Sequence, residues 1–330
     1  MQRTVGKWAT LAMLLALLGV IVSGADAQDV DHFEELAVIE HPGNVYAVAW
    51  SPDGGRVVTG GDDGVVRIWT ADGSQLAELG GHEDLVWSVD WSPDGQFIAS
   101  GSEDGTVKVW SPDRAALLAT LDSEAGWVSD VAWSLDDRYL AAAVSSGAVL
   151  IWSAETGNVE FVLQGHEYTV NTIAWSTDLQ RMATGGGSGY PDNTVRLWNF
   201  LWQRQTATYW GHVGEVWAVD WSPGDQYIAS GSTDGTVRIW RTSNGEPRHI
   251  LEGQVGSVMA VDWSPTGEYL ASSGGDALVR IWDPDAGKLV TTLVGHEGWI
   301  GAVAWSPDGE RLATASLDNT VRIWGSGTIE

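Results

Sequence analysis

Short apolar stretches alternate with polar residues along most of the chain, and they recur on a fixed beat. Val86-Trp87-Ser88-Val89-Asp90-Trp91, Phe97-Ile98-Ala99-Ser100-Gly101 and Thr106-Val107-Lys108-Val109-Trp110 form one such set. Brief runs rich in Val, Ile and Trp, bounded by turn residues, predict strands. The first two are joined by Ser92-Pro93-Asp94-Gly95 and the next two by a turn carrying Asp104-Gly105. Pro and Gly there supply the backbone angles a tight turn needs. A further apolar segment, of the type Leu289-Val290-Thr291-Thr292-Leu293, separates successive sets. Each unit therefore predicts four short strands and no helix.

Tryptophan marks the beat. It recurs at 50, 91, 133, 175, 221, 263 and 305, with spacings of 41, 42, 42, 46, 42 and 42 residues. A second series stands at 69, 110, 152, 198, 240, 282 and 324. A fixed period of this length means a repeat array, and four strands per period mean the blade of a propeller. The predicted fold is all-β: a seven-bladed β-propeller of four-stranded antiparallel blades. The last unit has only three strand-like segments, and one spare segment, 33–39, precedes the first unit. This N-terminal strand is expected to pair with the last blade and close the ring, which removes two open sheet edges.

The first strand of each unit carries an irregularity. Val or Ile stands five and two residues before the first-series Trp, as in Val86, Val89 and Trp91. Steps of three and then two cannot share one face of a regular strand, so a β-bulge is predicted between them.

Composition narrows the function. The 330 residues are 44% hydrophobic and 18% charged, enough to bury a core. The absence of Cys excludes disulfides, zinc–thiolate sites and a cysteine nucleophile. A formal net charge of −27 argues against nucleic acid and anionic membrane surfaces as partners. Residues 1–27 have a basic start at Arg3 and Lys7, an apolar run from Trp8 to Val22 and the small-residue site Ala25-Asp26-Ala27. This is the layout of a cleaved secretory signal peptide, too short in its apolar part to span a bilayer. The domains expected are a signal peptide over 1–27 and the repeat domain over 28–330. The mature chain is expected to be a monomer, secreted or held in the periplasm or cell envelope, without membrane insertion.

The array resembles the WD-repeat (WD40) propeller family over about residues 33–324. Gly-His occurs ahead of the first-series Trp at Gly81-His82, Gly165-His166, Gly211-His212 and Gly295-His296, and Val-Arg-Ile-Trp recurs at 66–69, 237–240, 279–282 and 321–324. The Asp that should follow the Trp is present only at Trp282-Asp283. The resemblance implies a structural network of His, Ser or Thr, Asp and Trp in each blade. Its positions here are His82, Ser100, Asp104 and Trp110; His166, Thr184, Asp192 and Trp198; His212, Ser230, Asp234 and Trp240; and His296, Thr314, Asp318 and Trp324. His41, Thr59 and Asp63 complete a fifth His–hydroxyl–Asp set by spacing. A nucleophilic triad is needed once, so a set repeated five times reads as architecture rather than catalysis. Units three and six depart from it, with Glu124 and Gln254 in place of His. The His positions show no metal-ligand spacing, and neither metal nor cofactor is expected.

Function in a repeat scaffold lies where the repeats differ. The variable positions are four and six residues before each first-series Trp, and by family analogy they point to the top-face entrance of the channel. They hold Tyr46, Trp87, Trp217, Trp127, Trp299 and Glu215, and the residue before the turn Asp adds Asp62 and Glu103. A Gly-rich insertion in unit four places Tyr190 at its tip. Clustered aromatics beside carboxylates suit a basic protein or peptide through charge pairing and cation–π contact. The expected function is an exported, non-catalytic binding scaffold. A glycan- or other substrate-binding propeller is the alternative, and an enzyme using Asp62, Glu103 or Glu215 is a third possibility. A bland reading also stands, in which the rings pack on each other and seal the channel mouth.

Overall fold

A computed structural model describes residues 32–187 and 192–327 of the chain. The proposed signal peptide and Tyr190 lie outside the described residues. Twenty-eight strands form seven four-stranded antiparallel sheets, with no helix among the described residues. Blades 1 to 6 each use four consecutive strands, and the first strand of each blade lines a central channel. Those inner strands are Val45–Trp50, Val86–Trp91, Val128–Trp133, Val170–Trp175, Val216–Trp221 and Val258–Trp263, with Ile300–Trp305 in blade 7.

Blade 7 is closed as the sequence predicts. His32–Glu40 pairs antiparallel with Thr320–Gly327, running from His32 opposite Gly327 to Glu40 opposite Thr320. The first and last strands of the array therefore share one sheet, and no repeat is left with an open inner seam.

The predicted bulge is present in all seven inner strands. The register slips between Val45 and Ala47, Val86 and Ser88, Val128 and Asp130, and at the matching place in the other blades. The skipped residue is always the variable one, four before the Trp.

The two Trp series do different work. Second-series rings sit inside their own blade; Trp110 and Trp240 are among the largest fully buried side chains. Four first-series rings, Trp50, Trp175, Trp221 and Trp305, bolt their blade to the preceding one. Trp50 donates its Nε1–H to the carbonyl of Ala304 at 3.0 Å, and Trp175 and Trp221 reach Ala132 and Ala174 at 3.1 Å. The core follows this plan: each of its apolar clusters spans two neighbouring blades, as when Val58, Ile68 and Leu79 pack against Val86, Trp91 and Ile98. Close approach is built in. A Cβ on Gly101 would lie 2.6 Å from Cγ1 of Val128 in the next blade, so a larger residue would push the blades apart.

The Ser-x-Asp-Gly turns are held by their own side chains. Ser92 Oγ donates to Asp94 at 2.7 Å and accepts the Phe97 N–H at 2.9 Å. The fourth turn residue has positive φ: Gly54, Gly95, Gly267 and Gly309 occupy it in four blades, but Asp137, Leu179 and Asp225 do so in three.

Candidate functional site

The structural network assembles completely in four blades. In blade 2, His82 Nδ1 lies 2.8 Å from Asp104, His82 Nε2 lies 2.7 Å from Ser100 Oγ, and Trp110 Nε1 donates to the same oxygen at 2.8 Å. The sets His166–Thr184–Asp192–Trp198, His212–Ser230–Asp234–Trp240 and His296–Thr314–Asp318–Trp324 repeat it. Burial lowers the pKa of each of these His rings, against the pull of the neighbouring Asp. An ionised Asp only accepts, so the neutral ring donates from Nδ1 and accepts the hydroxyl proton at Nε2. Burial would raise Asp104, but hydrogen bonds from Thr106, the Glu83 N–H and His82 outweigh it and hold the acid at about 2.

Blade 1 breaks the count of five. His41 Nε2 reaches Thr59 at 2.8 Å, but its Nδ1 has no partner, because Asp63 turns to Arg67 at 2.6 Å. Burial, then the nearby Arg67 charge, brings the pKa of His41 down to about 4. The hydroxyls of Ser100, Thr184, Ser230 and Thr314 are fully buried and already accept a Trp N–H, so no substrate reaches them.

The channel is a cavity of about 680 Å³. All seven bulged residues line it: Tyr46, Trp87, Ser129, Asn171, Trp217, Met259 and Gly301. A bulge turns its unpaired residue off the sheet plane, and here that direction is inward. Trp87 and Trp217 meet with ring centroids 6.4 Å apart, and Tyr46 packs edge-on against Trp87 at 5.0 Å. Three of the predicted aromatics thus lean on one another over the mouth. Trp299 also lines the cavity but stays 55% exposed.

The remaining sequence candidates do not join this wall. Trp127, Asp62, Glu103 and Glu215 lie outside the cavity lining. Trp127 and Glu215 immediately precede the inner strands of blades 3 and 5, and Trp127 is exposed. Asp62 and Glu103 sit exposed near Tyr46; burial, then Asp62, and more weakly Glu103, raises the phenol pKa. The single cluster expected from sequence is therefore two groups: an aromatic roof over the channel, and a rim carrying one exposed Trp and three carboxylates.

Four residues absent from that expectation also line the channel: Asp90, Asp130, Asp220 and Asp262. Each bridges to the next blade. Asp90 accepts the Trp133 N–H at 2.7 Å, Asp130 the Ile173 N–H at 2.9 Å, Asp220 the Trp263 N–H at 2.7 Å and Asp262 the Trp305 N–H at 2.6 Å. Burial pushes Asp90 up to about 7 and Asp130 and Asp220 up to about 6. Burial, and then Asp220 beside it, raises Asp262 well above the usual carboxylate range. The signal in the sequence was slight. Three of the four immediately precede a first-series Trp, where other repeats have Ala49, Ala132, Ala174 and Ala304. Two exposed rings were missed as well: Trp202 at 76% and Trp210 at 63% exposure, both on the outer side of blade 4. No group of His, Cys and acidic side chains suited to a metal exists among the described residues, nor any helix long and apolar enough to cross a membrane.

A closed ring of seven blades, pegged by buried His–hydroxyl–Trp triplets and pierced by a lined channel, defines a repeat β-propeller. The particular family follows from the repeats themselves. The profile "WD domain, G-beta repeat" matches at 33–70, 73–111, 115–153, 157–199, 203–241, 245–283 and 287–325, and the chain belongs to this family. Each matched repeat contains the outer strand of one blade and the three inner strands of the next. The chain is also similar to the human protein "WD repeat-containing protein 86", with 49% identity over 45 residues. That match spans 13% of this chain and 12% of the relative, about an eighth of its length. Propellers of this family are generally non-catalytic and bind proteins or peptides.

Proposed function

We propose that this chain is an exported, non-catalytic scaffold that binds a basic protein or peptide segment on the ring face carrying the aromatic roof. The observation that carries the reading is the contact of Tyr46, Trp87 and Trp217 over the channel, with Trp299 exposed beside them. Half-buried aromatics that line a channel beside an exposed ring favour an interface. The neighbouring Asp62 and Glu103, and the net charge of −27, favour a cationic partner. Export rests on the layout of residues 1–27 alone.

The test is a cross-linked capture from the secreted or envelope fraction. Residues 28–330 serve as bait, wild type beside a Trp87→Ala, Trp217→Ala, Trp299→Ala variant, with circular dichroism showing both folded. A protein captured by the wild type and lost in the variant supports the reading. Equal capture by both, or displacement by a free sugar, overturns it. Export is tested separately: the N-terminus of the mature protein, read by mass spectrometry, should be Gln28.

A further inference from the structure

Two seams between blades carry an arginine held between an aromatic face and an acid, and a third has the ring and the acid without the arginine. Two repeated positions build the device. One is the sixth residue after a first-series Trp, and the other is the third residue after the second-series Trp of the next blade. Between blades 1 and 2 they are Arg56 and Asp113; the guanidinium lies 4.8 Å over the Trp91 ring and 3.2 Å from the carboxylate. Between blades 5 and 6 they are Tyr227 and Asp285, and the cation comes from the outer strand. Arg248 lies 4.6 Å over the Tyr227 ring and 2.9 Å from Asp285.

Between blades 2 and 3 the same positions hold Phe97 and Glu155. The place of Arg248 is taken by Leu118. The equivalence is one of register: Arg248 is the residue skipped where the outer strand of blade 5 slips opposite Ile239 and Trp240, and Leu118 is skipped opposite Val109 and Trp110 in blade 2. No other seam matches an aromatic at the first position with an acid at the second, since Tyr139 is matched with Leu201 and Tyr269 with Gly327.

What stands at this seam is a cavity of about 690 Å³ with Phe97 and Glu155 both on its wall. Its lining also carries Asp94, Asp137 and Glu160 against a single cation, Arg138. Arg138 is engaged elsewhere, 5.3 Å over the Tyr139 ring and 4.0 Å from Asp136. Glu155 has no ion pair among the described residues. The surplus of acid is felt at Asp137, whose pKa is raised by burial and by the charges of Asp94 and Asp136. No residue lines both this cavity and the central channel.

We propose that the outer groove between blades 2 and 3 is a second docking site, which takes an arginine of a protein partner over Phe97 and against Glu155, as Arg248 lies over Tyr227 and against Asp285. The partner supplies the cation that the seam lacks. Arginine fits better than lysine because its planar guanidinium can stack on the ring and still direct N–H groups at the acid. The inference goes beyond the ring-face reading, and neither site needs the other.

The test uses an acetylated and amidated pentapeptide with a central Arg among Ala residues and a photo-cross-linking group beside the Arg. A citrulline counterpart, of the same shape without charge, is the control. Cross-links to residues 28–330 are mapped by mass spectrometry and should fall on segments 94–97 and 153–160. The citrulline peptide loses both the ring contact and the ion pair, so its yield there should be lower by about tenfold. Glu155→Gln loses the pair alone and should lower the yield by about three- to fivefold. Leu118→Arg gives the seam its own cation and should block the site. Arg248→Leu empties the seam between blades 5 and 6 and should create a second set of cross-links around Tyr227 and Asp285. Should that variant fail to fold, Leu118→Arg, at an exposed position, decides alone.

The seam cross-links should persist in the Trp87→Ala, Trp217→Ala, Trp299→Ala variant, and their loss there would place the peptide on the ring face and overturn the proposal. It is overturned equally by cross-links absent from the seam, by equal yields from the Arg and citrulline peptides, or by a yield indifferent to Glu155→Gln and Leu118→Arg. A native partner lost in the Trp variant while the peptide fails at the seam keeps the scaffold reading and removes the second site.

Discussion

Trp87 of blade 2 and Trp217 of blade 5 touch across the channel mouth, with ring centroids 6.4 Å apart and planes inclined by 40°. Their blades are not neighbours in the ring. The contact is made by side chains alone, so it holds the mouth closed without constraining either blade. Such aromatic pairs contribute roughly 0.5–1.5 kcal/mol beyond burial. A double-mutant cycle of Trp87→Ala and Trp217→Ala, read by chemical denaturation, should give a coupling energy of about that size. Coupling indistinguishable from zero would show two rings lying side by side without interacting.

The channel acids make a pH prediction with a definite sign. Asp90 is held up at about 7 in the folded state, against an ordinary value of 3.8. The folded state thus favours the protonated acid; its contribution is fully present below pH 3.8 and is lost as pH rises through about 7. Asp90→Asn retains an acceptor for the Trp133 N–H without titrating. The variant should be more stable than wild type at pH 8, by up to about 4 kcal/mol, and should match it near pH 4. Melting temperatures at the two pH values check this, and a stability difference that does not change with pH contradicts it.

The buried His act in the opposite direction. His41 is brought down to about 4 from 6.5, so its contribution is fully present above pH 6.5 and is lost as pH falls through about 4. The wild-type profile is the balance of the two groups, which is why the acids are better tested by substitution than by the profile alone.

Trp240 is 1% exposed and donates to Ser230 at 2.8 Å. Replacing it with Ala removes a ring from the middle of blade 5 and strips Ser230 of a donor. The loss should be roughly 3–5 kcal/mol, seen as a large fall in melting temperature. An unchanged melting temperature would mean that the second-series rings do not hold their blades.

Leu179 is the one branched apolar residue in the turn position that Gly fills in four other blades, with φ of 58°. The left-handed region costs an L-residue roughly 1–2 kcal/mol, and Gly's extra freedom in the unfolded chain offsets part of the relief. Leu179→Gly should therefore stabilise the protein by about 0.5–1 kcal/mol. A lower melting temperature would show that the Leu179 side chain makes packing contacts worth more than the strain.

Much of this architecture was legible because each blade must bury the same faces. The Trp beat, the 33–39 segment and the three-then-two spacing of Val86, Val89 and Trp91 each led to a feature seen in the structure. Spacing failed where two side chains compete for one partner. His41, Thr59 and Asp63 stand at the right offsets, yet Arg67 holds the carboxylate. It failed again at Asp90, Asp220 and Asp262. An Asp beside a strand-ending Trp reads as a solvent-facing residue, and only closure of the ring turns that face into a channel wall. The rim residues show the same limit: Trp127 and Trp299 share an offset, but only Trp299 reaches the cavity.

The clasp that closes blade 7 also fixes how the ring bears tension. His32 lies opposite Gly327, and the pairing runs inward from there to Glu40 and Thr320. The two termini of the ring therefore leave it side by side, on strands that point in opposite directions. A pull between them does not shear all the hydrogen bonds at once. It opens the pair like a zip, from His32–Gly327 past the Glu35–Arg322 ion pair, and the six blades behind carry no load until the last tooth has parted.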